Sequence, residues 1–83
     1  TVKIITYSLT LMDEPLILSS VLDQISESGA NILTINQNIP VDGVAPVTVS
    51  FSTGSLKMPE SDLIEALSLL KGVVGCRALM ENP

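Results

Sequence analysis

Residues 11–39, LMDEPLILSSVLDQISESGANILTINQNI, change their hydrophobic period twice within one short stretch. Leading into it, Ile5, Tyr7, Leu9 and Leu11 share one face while Thr6, Ser8 and Thr10 share the other. That alternation predicts a half-buried strand over residues 2–11. After Asp13-Glu14-Pro15 the period lengthens, and Leu18, Val21, Leu22 and Ile25 make one apolar helical stripe. Asp13 suits the cap of that helix and Pro15 its first turn. Ser28-Gly29-Ala30-Asn31 then hands over to a second strand, with Gly29 able to take the left-handed conformation that stops a helix. Strand, helix, strand in this order calls for parallel strands joined by a right-handed crossover.

The second half repeats the scheme. Residues 31–39 read as a strand with Leu33 and Ile35 on one side and Thr34, Asn36 and Asn38 on the other. Asp42-Gly43 offers a tight hairpin turn. A third strand over 44–52 sets Val47, Val49 and Phe51 against Thr48, Ser50 and Ser52. Pro46 cannot donate to a ladder, so it is expected at a bulge or where the hairpin overhangs its neighbours. Pro59, Glu60 and Asp62 open a second helix, with Leu63, Ala66, Leu67 and Leu70 inward and Gly72 closing it. Val73–Met80 is the last strand. The result is an α+β chain of order βαββαβ: a four-stranded antiparallel sheet with both helices on one face and strands one and three central. The apolar strand faces pack on the helices, which leaves an uncovered side of small hydroxyl and amide residues.

Composition narrows the function. The 83 residues are 46% apolar and form one small domain, expected to span 1–83. A net charge of −5, with only Lys3, Lys57, Lys71 and Arg77 cationic, argues against nucleic acid and anionic membranes as partners. An RNA-recognition module would stack bases on aromatics of the open face. Here Ser8 and Ser50 hold those positions, while Tyr7 and Phe51 have core parity. Cys76 is the single cysteine and there is no histidine, so neither a zinc site nor a Cys-x-x-Cys metal carrier is expected. No cofactor is implied. The lone cysteine fits a reducing, cytoplasmic compartment, and no apolar run approaches membrane-spanning length. The chain starts at Thr1 without a methionine, as one module of a longer protein would. Acyl- and phosphoryl-transfer machinery is missing: no histidine base, no glycine-rich phosphate loop, no arginine cluster. A non-enzymatic binding domain is the expectation.

One small-molecule site suggests itself. The first amides of the helix after Pro15 lack intrahelical partners and favour an anion. A free amino acid brings a carboxylate for those amides and an ammonium for oxygen acceptors. The carbonyls around Met12 and Asp13 and the side chain of Asn31 would supply acceptors, with Leu16, Ile17 and Ile32 around an apolar side chain. Each residue also has a plainer role: Asp13 as helix cap, Asn31 as turn residue, Leu16 and Ile17 as packing or subunit contacts. Association is the better-supported function. The second strand lies at a sheet edge and has no Lys or Pro before Pro40, so its unpaired backbone is open to a second copy.

Asp13-x-Pro15, the run Ser28-Gly29-Ala30-Asn31-Ile32 and the βαββαβ order resemble the ACT domain, a regulatory amino-acid-binding module of ferredoxin-like fold. Asn31–Thr53, NILTINQNIPVDGVAPVTVSFST, looks like the PheB-type ACT proteins of bacteria. The resemblance implies that the chain is the C-terminal module of a longer protein, in a family for which a link to chorismate mutase and phenylalanine biosynthesis has been proposed. It implies a homodimer formed through the second strand and first helix, and an amino-acid ligand at that interface. Carried onto this sequence, it points to Asp13, Glu14, Leu16, Ile17 and Asn31, to which the reading of the residues themselves adds Met12 and Ile32 as ligand-binding. The alternatives are a purely structural pairing module, or the regulatory part of a chorismate mutase-related protein. One departure stands out: the family loop ordinarily reads Asp-x-Pro-Gly, and Leu16 occupies the glycine place, where its side chain could fill the pocket.

Overall fold

The computed structural model describes residues 3–79. Its elements are β1 (Ile4–Met12), α1 (Ile17–Glu27), β2 (Asn31–Gln37), β3 (Val44–Ser52), α2 (Glu60–Ser68) and β4 (Val73–Ala78). The sheet order is β2-β3-β1-β4, and every neighbouring pair is antiparallel. The ferredoxin-like α+β architecture expected from the period changes is the one found. Met80, placed by the sequence at the end of the last strand, lies outside the described residues.

The core follows strand parity. Ile5, Tyr7, Leu9 and Leu11 of β1 face Phe51, Val49, Val47 and Ala45 of β3 in register, and all eight are buried. Val21 and Ile25 of α1 and Leu63 and Leu67 of α2 close this layer from above. The two aromatic rings meet edge to face, 4.9 Å between centroids and 83° between planes, a favoured arrangement of ring quadrupoles. Burial pushes the Tyr7 phenol up to about 12, with Glu60 and Cys76 adding to the effect, and burial alone pushes the Cys76 thiol up to about 11. Cys76 is therefore a poor nucleophile. On the uncovered face Thr6 and Ser50 share a 2.7 Å hydrogen bond between their hydroxyls.

Asp42 and Gly43 have φ of 53° and 80°, and Val41 and Val44 exchange both backbone hydrogen bonds. This is the two-residue turn expected of Asp-Gly, in its primed form. β2 ends at Gln37 rather than at Ile39, because Pro40 cannot extend the ladder. Pro46 is not at a bulge; it lies where β3 overhangs the end of β2 while still paired with β1. It is in register with Thr10, and its carbonyl accepts from the Asn38 N–H at 2.9 Å. Its ring nitrogen thus points to the β2 side, just past the end of that strand, and β1 loses no bond.

Both edge strands carry an irregularity. Leu33 is the extra residue between Ile32 and Thr34 of β2, and Val74 the extra residue between Val73 and Gly75 of β4. Bulges of this kind twist an edge locally. Beyond its bulge β2 presents Thr34, Ile35, Asn36 and Gln37, all exposed and none charged.

Candidate functional site

The loop between β1 and α1 is tied down by its backbone. The Met12 N–H donates to the Gly72 carbonyl at 2.8 Å, the Asp13 N–H to the Gly43 carbonyl at 2.9 Å, and the Glu14 N–H to the Met12 carbonyl at 2.9 Å. Three separate segments thus meet at one pole of the sheet: the end of β1, the β2–β3 turn and the α2–β4 turn.

The helix starts later than the sequence suggests. Leu16 is its N-cap residue, in a left-handed conformation with φ of 73°, and no side chain caps the helix. Asp13 is therefore not the cap. It lies three residues too early for its carboxylate to serve the first free amides, and its own N–H is spent on Gly43. Pro15 correspondingly precedes the cap instead of occupying the first turn. The left-handed geometry at position 16 is one that glycine adopts freely and leucine rarely does. The backbone keeps the shape of a glycine loop while carrying a leucine. The Leu16 side chain is 79% exposed, so it projects into solvent and does not plug the space beside it.

That space is a cleft of about 300 Å³ lined by Glu14, Pro15, Leu16, Ile17, Ser20 and Lys71. Three of the sequence-selected residues, Glu14, Leu16 and Ile17, are on its wall. Met12 and Asp13 complete the same loop but do not line the cleft. Ile17 is mostly buried because it packs beneath Gly72. A Cβ on Gly72 would stand 2.8 Å from Ile17 Cγ1 and 3.0 Å from Cγ2, so only glycine lets the α2–β4 turn approach the helix this closely. A smaller hollow of about 160 Å³, bordered by Lys3, Ile5, Glu60, Ala78 and Leu79, opens at the other pole. There the Lys3 ammonium and Glu60 carboxylate lie 3.6 Å apart.

Asn31 and Ile32 are not beside the cleft within one copy. Asn31 pairs with Ser52, which pairs with Ile4 at the start of β1, whereas the loop follows Met12 at its end. The two groups are separated by the length of β1, roughly 26 Å along the strand direction. Asn31 shares the uncovered-face register of Ser52; Ile32, opposite Phe51, shares the helix-covered one and packs partly against the core. Lys71 and Ser20 were not singled out by sequence reasoning. The signal for Lys71 was topological: β1 and β4 are antiparallel neighbours, so the residues before Val73 must lie beside Met12.

No family model matches the chain. Among curated proteins it is 49% identical over 71 residues to a UPF0735 ACT domain-containing protein of Caldicellulosiruptor saccharolyticus, covering 86% of this chain and 47% of that protein. A protein of the same description from Desulfitobacterium hafniense is 44% identical over 81 residues, covering 96% of this chain and 53% of the relative. The chain is an ACT domain. It spans about half the length of the curated relatives it matches. Solved ACT-domain structures share its fold. The ACT domain from GTP pyrophosphokinase of Chlorobium tepidum superposes with a TM-score of 0.74 at 21% identity, covering 95% of this chain and 100% of the other. The regulatory subunit of aspartate kinase from Thermus thermophilus gives 0.64 at 20% identity, over 95% of this chain and 52% of that one. ACT domains are typically regulatory and ligand-binding. In this ACT domain no helix among the described residues is long and apolar enough to cross a membrane, and no group of three or more His, Cys, Asp or Glu there could hold a metal ion.

Proposed function

We propose that this ACT domain is a regulatory module that pairs with a second copy along β2 and α1 and binds a small amino acid at the β1–α1 loop. The observation that carries the reading is the separation of the site residues within one copy. Glu14, Leu16 and Ile17 border a cleft at one pole, and Asn31 and Ile32 begin β2 at the other. An isologous antiparallel pairing of two β2 edges turns one copy end for end against the other. The start of β2 in each copy is then carried toward the pole of its partner that bears Met12 to Ile17. The two halves of the site approach only across such a pair. The uncharged segment Thr34–Gln37 is the available stretch of edge.

Melting temperature in the presence of each proteinogenic amino acid tests the ligand, and sedimentation at micromolar concentration tests the pair. A ligand at a hundredfold its dissociation constant adds about 2.7 kcal/mol, or roughly 10–20 °C in a domain of this size. No response to any amino acid would sink the sensing role and leave a structural pairing module. A persistent monomer would sink the pairing. A part in chorismate chemistry would have to draw on the half of the relatives' length that this chain does not span. Arg77 is the single arginine here, and a dianionic substrate asks for several cationic groups.

A further inference from the structure

We infer that Lys71 and Glu14 form a two-sided clamp for a zwitterion, Lys71 receiving the ligand α-carboxylate and Glu14 its α-ammonium, with Pro15 and Leu16 flanking an apolar side chain. The inference rests on the amino-acid reading of this cleft and names the groups that would enforce it. The two side chains border the same cleft. The one ion pair within 4.0 Å among the described residues is that of Lys3 with Glu60, so Lys71 and Glu14 do not neutralise each other. They stand on opposite segments of the cleft, and neither is in an ion pair among the described residues.

Charge distribution makes Lys71 decisive. The chain carries −5 overall, and Asp13, Glu14 and Asp42 all lie in the turns of this pole. A carboxylate ligand entering such a field needs a cation to offset repulsion at short range. Lys3 is paired with Glu60 at the other pole, and Lys57, whose N–H donates to the Ser28 carbonyl, flanks the far end of α1. Arg77 lies opposite Ser8 on the uncovered sheet face. Lys71 is the cation that borders the cleft. Its place is also fixed: the adjacent Gly72 packs on Ile17 and accepts the Met12 N–H at 2.8 Å, so the turn bearing Lys71 is fastened to both ends of the segment bearing Glu14. Among the described residues Lys71 and Glu14 are the charged side chains on the wall, one positive and one negative contact, the pattern of an α-amino acid with an uncharged side chain.

Calorimetric titration of the chain with leucine, valine and phenylalanine, each beside its carboxamide and its N-acetyl derivative, tests the clamp. Lys71→Met is expected to weaken the free amino acid at least tenfold and leave the carboxamide unchanged. Glu14→Gln is expected to weaken the free amino acid and leave the N-acetyl derivative unchanged. Both variants should melt with the wild type in the absence of ligand, since neither side chain is in an ion pair among the described residues. Wild-type binding that survives Lys71→Met undiminished would overturn the clamp while the amino-acid site stands. A wild-type chain that binds none of these three would overturn the clamp as drawn, and one that binds no proteinogenic amino acid would remove the amino-acid site with it.

Discussion

Replacing Gly72 by alanine strains the turn that holds the cleft together. Gly72 has φ of 86°, where a side chain costs an L-residue roughly 1–2 kcal/mol. The added Cβ would crowd three carbons of Ile17 at once: Cγ1 at 2.8 Å, Cγ2 at 3.0 Å and Cδ1 closer still. A β-branched side chain cannot clear all three by rotating about one bond, and Ile17 belongs to the buried core cluster. Overpacking of this kind costs about 1–3 kcal/mol. Alanine returns roughly 0.4–1 kcal/mol by narrowing the unfolded ensemble. The expected net loss is about 2–4 kcal/mol, a large share of the stability of a small domain and a fall in Tm of roughly 8–30 °C. Urea unfolding followed by circular dichroism measures it. Gly43→Ala is the control, because Gly43 has a φ of 80° but nothing within 4 Å of the new Cβ, so it reports the backbone cost alone. Ile17→Val in the Gly72→Ala background removes Cδ1 and should recover part of the loss. Equal destabilisation by the Gly43 and Gly72 substitutions would refute the Ile17 contact as its source.

Leu16→Gly should leave the chain as stable or up to about 1.5 kcal/mol more stable, since relief of the left-handed strain outweighs the added unfolded-state entropy; Leu16→Ala, which keeps the strain, should gain nothing in the same urea titration. Stability should fall as pH rises. Tyr7 and Cys76 ionise near 10.0 and 9.0 when unfolded but only near 12 and 11 when folded, so the unfolded chain releases protons first and the loss runs from about pH 9 upward. The double variant Tyr7→Phe, Cys76→Ala should flatten that slope in melting curves taken between pH 8 and 11. Ile35→Lys, placed on the 42%-exposed residue of the β2 edge, should shift sedimentation toward monomer, and an unchanged dimer would mean that copies meet elsewhere.

The fold was legible because period and punctuation agreed along the chain. Alternation in 5–11 and 47–51 sets the buried faces of β1 and β3, and the spacing of Leu18, Val21, Leu22 and Ile25 sets the inner face of α1. Asp42-Gly43 is the turn that those two residues favour. The helix start was misread because Asp13 and Pro15 are good cap and first-turn residues in isolation, while the bonds of Met12 and Asp13 to Gly72 and Gly43 and of Glu14 back to Met12 hold residues 13–16 in a bend and turn that delays the first helical residue to Ile17. The bulge at Leu33 left no trace, since the run from Ile32 to Ile35 alternates acceptably in either register. Half of the cleft wall was visible as a loop. Its partner across the cleft, Lys71, is far away in sequence and is brought there by the β1–β4 pairing and by a glycine contact that composition does not reveal.

The most direct measurement is an NMR titration of the ¹⁵N-labelled chain with the proteinogenic amino acids. Saturable shifts of the amides of Met12 to Ser20 and of Lys71, together with Asn31 and Ile32, are expected for at least one amino acid with an uncharged side chain. Shifts at Met12 to Ser20 and Lys71 alone would mean that the cleft binds without the second copy. No saturable shift at these amides with any amino acid would contradict the sensing role.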